Sequence, residues 1–168
     1  IPIYLYGHSL GGGIVLDYIL RVNPGIKGAI VTAPWLRLSF EPPKAKVILA
    51  NLMKHLVPGL VQPTGLNVSH ISHDGKAVEN YKTDPLIHGK ISVSLYNCAM
   101  NAAKYSLEHA SELKIPVLII HGSDDSINST GGSREFAEKS GKVTLRIWEG
   151  GYHVLHNESF KDEVFKYI

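Results

Sequence analysis

The sequence predicts an α/β architecture: a parallel sheet flanked by helices and interrupted by a helical insertion. Three observations carry this. Apolar, β-prone runs alternate with segments of helical periodicity near both ends of the chain. A Gly-x-Ser-x-Gly turn, Gly7-His8-Ser9-Leu10-Gly11, joins the first of those strands to the first helix. Between two of the core strands lie about 75 residues without that alternation, too many for an ordinary connection.

Ile3-Tyr4-Leu5-Tyr6 fits a buried strand entering the turn. Ser9 must then occupy a sharp strand-to-helix corner, a backbone conformation costing about 1–3 kcal/mol. Gly7 and Gly11 flank it where side chains are expected to clash. Ile14, Val15, Tyr18 and Ile19 recur at helical spacing behind it. Asn23-Pro24-Gly25 stops that helix, with glycine accepting a positive φ. Ile26 to Thr32 reads as a second buried parallel strand. Residue 1 already lies in a strand, so further strands and helices are expected ahead of it in a longer chain.

From Trp35 to about Ser111 the alternation lapses. Pro42-Pro43 opens an amphipathic helix over Lys44 to Val57, with Ile48, Leu49, Leu52, Met53 and Leu56 as its apolar face. A polar, turn-rich stretch from Gln62 to Gly75, a loop at Asp84-Pro85 and a helix over Val93 to Glu108 follow. The expected division is a core of residues 1–34 and 112–168, with residues 35–111 as a cap over the C-terminal edge of the sheet. Val117 to Ile120 returns to the sheet, Gly131 to Lys139 is a helix, Val143 to Trp148 a strand, and Glu158 to Tyr167 a closing helix.

Composition narrows the classes. Apolar residues make up 44% of the 168 and charged residues 19%, which favours a packed core over disorder. A net charge of +2 without a run of five basic residues gives no basis for nucleic-acid binding. The single cysteine, Cys98, reads as a small buried hydrophobe. No apolar run approaches the roughly 20 residues that cross a bilayer. Sequons at Asn67, Asn128 and Asn157 include two beside the candidate site, where a glycan would obstruct it. That favours an intracellular, unglycosylated protein, in the cytoplasm or at a membrane periphery.

A serine at neutral pH attacks only when a histidine takes its proton and a carboxylate holds that histidine. Both partners should hang from loops at strand ends. Nine histidines compete. His153, beside Gly150-Gly151 after the last strand, is the first choice. His8 is expected to point away from the cleft, His121 to be a packed structural residue, and His156 to pack toward the last helix. His55, His88 and His109 fall in the insertion, solvated or capping. His70-x-x-His73-Asp74 reads as a turn rather than a metal site, having no third ligand placed nearby. Spacing alone leaves Asp124 and Asp125 as alternatives for the acid.

Three stretches together resemble a known family. Gly7-His8-Ser9-Leu10-Gly11-Gly12, His121-Gly122-Ser123-Asp124-Asp125 and Gly151-Tyr152-His153-Val154-Leu155-His156-Asn157-Glu158 are similar to the monoacylglycerol lipase and lysophospholipase branch of the α/β-hydrolases. Tyr81-Lys82-Thr83-Asp84-Pro85-Leu86-Ile87-His88 adds a similar stretch in the cap. The resemblance implies the C-terminal part of an α/β-hydrolase fold, with the N-terminal strands missing. It implies Ser9 as nucleophile, His153 as base and Asp125 as acid, through the pattern His-Gly-x-x-Asp. The backbone N–H of Leu10 would be one oxyanion donor. The family's second donor comes from a His-Gly-x-Gly-like loop that this sequence lacks, and losing one such donor costs about 10²–10³ in rate.

The implied activity is hydrolysis of a small lipid ester, monoacylglycerol or lysophospholipid, through an acyl-serine and without metal or organic cofactor. A general carboxylesterase, a peptidase-like hydrolase or an inactive binding module on the same scaffold are the alternatives. The cap helix, apolar with lysines at its margins, is expected to line an acyl tunnel or touch a membrane surface.

Overall fold

In the computed structural model, residues 1–41, 43, 48, 52–53 and 56–168 are described. The chain begins with β1 (Tyr4–His8), α1 (Leu10–Val22) and β2 (Gly28–Thr32). The middle segment holds β3 (Val61–Pro63), α2 (Gly75–Thr83), β4 (Lys90–Ser92) and α3 (Val93–His109). It closes with β5 (Val117–Gly122), α4 (Thr130–Lys139), β6 (Val143–Trp148) and α5 (Lys161–Tyr167).

The main sheet has the order β1-β2-β5-β6 with every neighbouring pair parallel, so all four strands end at the same rim. Parallel strands covered on both faces need near-continuous apolar runs, and β5 supplies one in Val117 to Ile120. The core gathers Leu16 and Ile19 of α1, Val31 of β2, Val117 and Ile119 of β5, and Phe136 of α4. Helix α3 packs along α1, where Arg21 lies 3.6 Å over the Tyr105 ring.

Within the residues described, β1 is the first strand of the sheet and pairs with β2, with Tyr4 60% and Tyr6 51% exposed. The α1 stop differs in detail from the expectation. Asn23, not Gly25, takes the left-handed conformation (φ 47°) and returns its N–H to the Ile19 carbonyl. Cys98 is exposed on α3, not buried.

In the middle segment most of the expected helix over 44–57 lies outside the described residues. What was expected as turns and loop contains a short antiparallel pair, β3 with β4, and the helix α2. Asp74 caps α2 by accepting from the Lys76 and Ala77 amides. Ile71, with Leu66, Val68, Val78 and Tyr81 around it, packs against Ile127 and Val154 from the loops after β5 and β6. The closing helix starts at Lys161, because Leu155–Asn157 forms a 3-10 turn that places Leu155 against Ile120 and Val164. Among the described residues no helix is long and apolar enough to cross a membrane.

Candidate active site

Ser9 stands between β1 and α1 with φ 54° and ψ −120°, a conformation L-residues avoid. The turn is made possible by Gly7, where a Cβ would lie 2.6 Å from the Gly11 carbonyl oxygen. Gly11 itself has open space around it, contrary to the expected clash. The crowded glycines are Gly12, against Val31, and Gly13, against the Trp35 carbonyl.

The other two loops meet through another glycine contact. A Cβ on Gly122, at the end of β5, would fall 2.2 Å from the Gly151 oxygen in the loop after β6. That approach sets Asp125 beside His153. His153 Nδ1 donates to Asp125 Oδ2 at 2.7 Å, and its Nε2 lies 2.9 Å from Ser9 Oγ. With Nδ1 carrying the proton, Nε2 is left to accept the serine hydroxyl. The three residues thus share one line of hydrogen bonds, and Asp125 and His153 are buried. Asp124 turns to the surface, accepting from Ser123 Oγ.

Burial alone would raise the Asp125 carboxyl. Hydrogen bonds from His121 and His153, the His153 charge and the Asn128 backbone N–H outweigh it and hold the group well below the usual carboxylate range. His8 does not point away from the cleft. Its ring lies 4.9 Å from both the His153 and the His156 rings, and its Nδ1 is 2.9 Å from Thr32 Oγ1. Burial first, then the neighbouring His153 and His156, push His8 down to about 3, so it is neutral at pH 7. Burial and His153 also lower His156.

His121 is packed and fully buried, and it also bonds Asp125 Oδ2 from the other side at 3.0 Å. Sequence reasoning missed that contact, although the four-residue spacing across a turn was a visible signal. His70 and His73 diverge: the first bonds Ser126 Oγ, the second Glu158. Asn128, one of the sequon asparagines, is 1% exposed and donates to the Ala33 carbonyl, which leaves no room for a glycan.

Two cavities meet at Ser9. The larger, about 400 Å³, is lined among the described residues by Leu10, Trp35, Phe40, Leu95, Tyr96 and Ile127, with His88 and Lys90 also on its wall. The smaller, about 170 Å³, is lined by His8, His153, Leu66, Val68, Ile71 and Tyr81. Burial raises the Tyr96 hydroxyl, so it stays protonated at neutral pH. Leu10 opens α1, where the first-turn N–H groups have no intrahelical partner.

The family model described as serine aminopeptidase, S33, of the α/β-hydrolases, matches residues 1–160. The chain belongs to this family. Its S33 relatives include a putative monoglyceride lipase of Schizosaccharomyces pombe, 31% identical over all of this chain and 46% of that protein. A phospholipase of Bacillus subtilis is 28% identical over 99% of this chain and 66% of its own length. The crystal structure of a monoacylglycerol lipase from Paleococcus ferrophilus superposes with a TM-score of 0.94 at 30% identity, covering 99% of this chain and 66% of that one. This S33 chain therefore spans 46% to 66% of the length of these three proteins.

Proposed function

We propose that this chain carries the acyl-transfer site of a serine hydrolase acting on carboxylic esters of lipids, monoacylglycerol or lysophospholipid. The observation that carries the reading is the bonded line Ser9–His153–Asp125 opening onto an apolar cavity. Ser9 Oγ attacks the ester carbonyl while His153 Nε2 takes its proton, and Asp125 stabilises the imidazolium. The Leu10 N–H, at the positive end of α1, faces the developing oxyanion. His153 then returns the proton to the leaving alcohol. Water, deprotonated by the same nitrogen, releases the fatty acid and restores Ser9.

The acyl chain fits the larger cavity, whose walls are mostly aliphatic and aromatic. A cap over 35–111, with α3 as its footing on the body, would shelter that chain. Exposed Ile48, Leu52 and Leu56 suit transient contact with a lipid surface.

The family's description favours a second reading, an aminopeptidase. A peptide's free ammonium needs a carboxylate to receive it, and among the described residues lining either cavity there is neither Asp nor Glu. The apolar wall of the larger cavity favours an acyl chain over a peptide, whichever head group the ester carries. The test compares the protein and its Ser9→Ala variant on a long-chain monoacylglycerol, a lysophospholipid, a short nitrophenyl ester and an aminoacyl amide. Ser9-dependent preference for the long-chain lipids is expected. Ser9-dependent preference for the amide would replace the lipid reading by the peptidase one, and for the short ester by a general carboxylesterase.

A further inference from the structure

His121 ends β5 four residues before Asp125, and its ring is sealed from solvent. Nε2 lies 3.0 Å from Asp125 Oδ2 and 3.1 Å from the Asn128 carbonyl oxygen. A carboxylate and a carbonyl only accept, so Nε2 carries the proton. Nδ1, 2.8 Å from Ser133 Oγ on α4, is then free to accept that hydroxyl. Asp125 Oδ2 therefore receives two ring N–H groups, from His121 and from His153, while Oδ1 receives the Ile127 and Asn128 amides.

We propose that His121 is a positioning residue for the acyl-transfer step: held by Ser133, it fixes Asp125 Oδ2 in line with His153 Nδ1 and shares the carboxylate's charge. The inference rests on the reading of Ser9, His153 and Asp125 given above. Two consequences follow from the shared oxygen. Without the His121 N–H the two amides still hold Oδ1, but Oδ2 keeps His153 as its one donor, so the carboxylate and the imidazole that leans on it are less firmly oriented. The negative charge formerly divided between two donors also falls on His153 alone, favouring its protonated form. The ionisable groups facing Asp125 Oδ2 are His121 on β5 and His153 after β6, with His8 on β1 and His156 beyond; α4 presents the uncharged Ser133 to His121.

The experiment uses His121→Phe, which fills the space without a donor, and His121→Gln, whose amide can donate to Asp125 and accept from Ser133. In ester hydrolysis by the phenylalanine variant, kcat is expected to fall about 10- to 100-fold, the range for losing one hydrogen bond to a charged group. KM stays within about twofold, and the acidic limb of the kcat profile moves to higher pH. The glutamine variant should recover most of the rate and the original limb. Thermal unfolding checks that both are folded. Equal losses in two folded variants, or a phenylalanine variant with unchanged rate and limb, would overturn the proposal. The same substitutions in a Ser9→Ala background are followed by nitrogen-15 NMR of the imidazoles. The His153 Nδ1–H signal should shift with Phe and return with Gln, and an unshifted signal overturns the role of His121. Hydrolysis that survives Ser9→Ala would sink the reading of Ser9 as the nucleophile instead, and the NMR result then still decides the placement of Asp125.

Discussion

Asp125 and Glu158 are both buried carboxylates, each saturated by hydrogen-bond donors, in the loops after β5 and β6. Asp125 takes its donors from the rim of the sheet: the His121 and His153 rings and the Ile127 and Asn128 amides. Glu158 takes three from the middle segment, the Ser72 hydroxyl and the His73 amide and ring, and one from the Tyr152 amide beside His153. Burying an anion is costly unless its lone pairs are filled, and both sites fill them. The difference lies in what the donors are attached to. One of the Asp125 donors is a ring that continues to Ser9, so its charge acts on a proton. The Glu158 donors belong to two stretches of chain, so its charge acts as a clasp, holding the middle segment to the loop that carries His153. One further bond reinforces that clasp, the Val154 amide to the Ile71 carbonyl, and Ser72 Oγ shares its one proton between Glu158 and the Asn157 carbonyl.

The largest effect expected from this contrast is on rate. Asp125→Asn keeps the shape but offers an amide where His153 Nδ1 needs an anion, and kcat should fall about 10⁴-fold. Single-turnover hydrolysis with Ser9-directed labelling measures it. A loss below tenfold would mean that Asp125 works as Glu158 does, by fixing chain alone.

The next effect concerns acid. His8 sits between these loops and the Ser9 turn, and the fold keeps it neutral down to about pH 3. The unfolded chain binds that proton near pH 6.5, so between about 6.5 and 3 the unfolded state holds more protons and stability falls as pH falls. The linkage allows at most about 5 kcal/mol over that window. Asp125, held low, contributes stability that is complete above the ordinary carboxylate pKa and is lost only in stronger acid. Denaturant melts from neutral pH downward should therefore show decline beginning near pH 6, and His8→Gln should flatten it. A variant with the wild-type slope would assign the decline to other groups.

How much of this was legible in the sequence differs between the same two regions. The rim loops were readable because glycine marks them: Gly7, Gly122 and Gly151 lie where chains approach too closely for a side chain. The strands and α3 were readable from apolar period. Helix α2 was harder to read, since none of its residues is fully buried and its apolar face is only Ala77, Val78 and Tyr81, half-buried against Ile71; Asp74 as a cap was the other local sign of it. The inward turn of His8 and the second bond of His121 depend on side-chain direction at strand ends, which spacing does not determine.

The smallest effect compares two ties of the middle segment to the body. Glu158 is one. The other is the exposed ion pair of Arg37 with Glu135 on α4, whose carboxylate is lowered first by Lys139 and then by Arg37. An exposed pair gains little over its hydrated ions and is screened by salt, so Arg37→Gln should cost about 0–1 kcal/mol, shrinking as salt rises. Glu158→Gln replaces an acceptor by an amide N–H facing donors, and a buried donor left unpaired costs about 1–3 kcal/mol. Because the clasp supports the loop of His153, that substitution should also lower kcat, by a factor far below that of Asp125→Asn. Urea melts of both variants at low and high salt make the comparison. If the two costs were equal and equally salt-sensitive, the Glu158 clasp would be worth no more than the exposed pair, and the middle segment would be held by apolar packing, of Ile71 with Ile127 and Val154 and of α3 along α1.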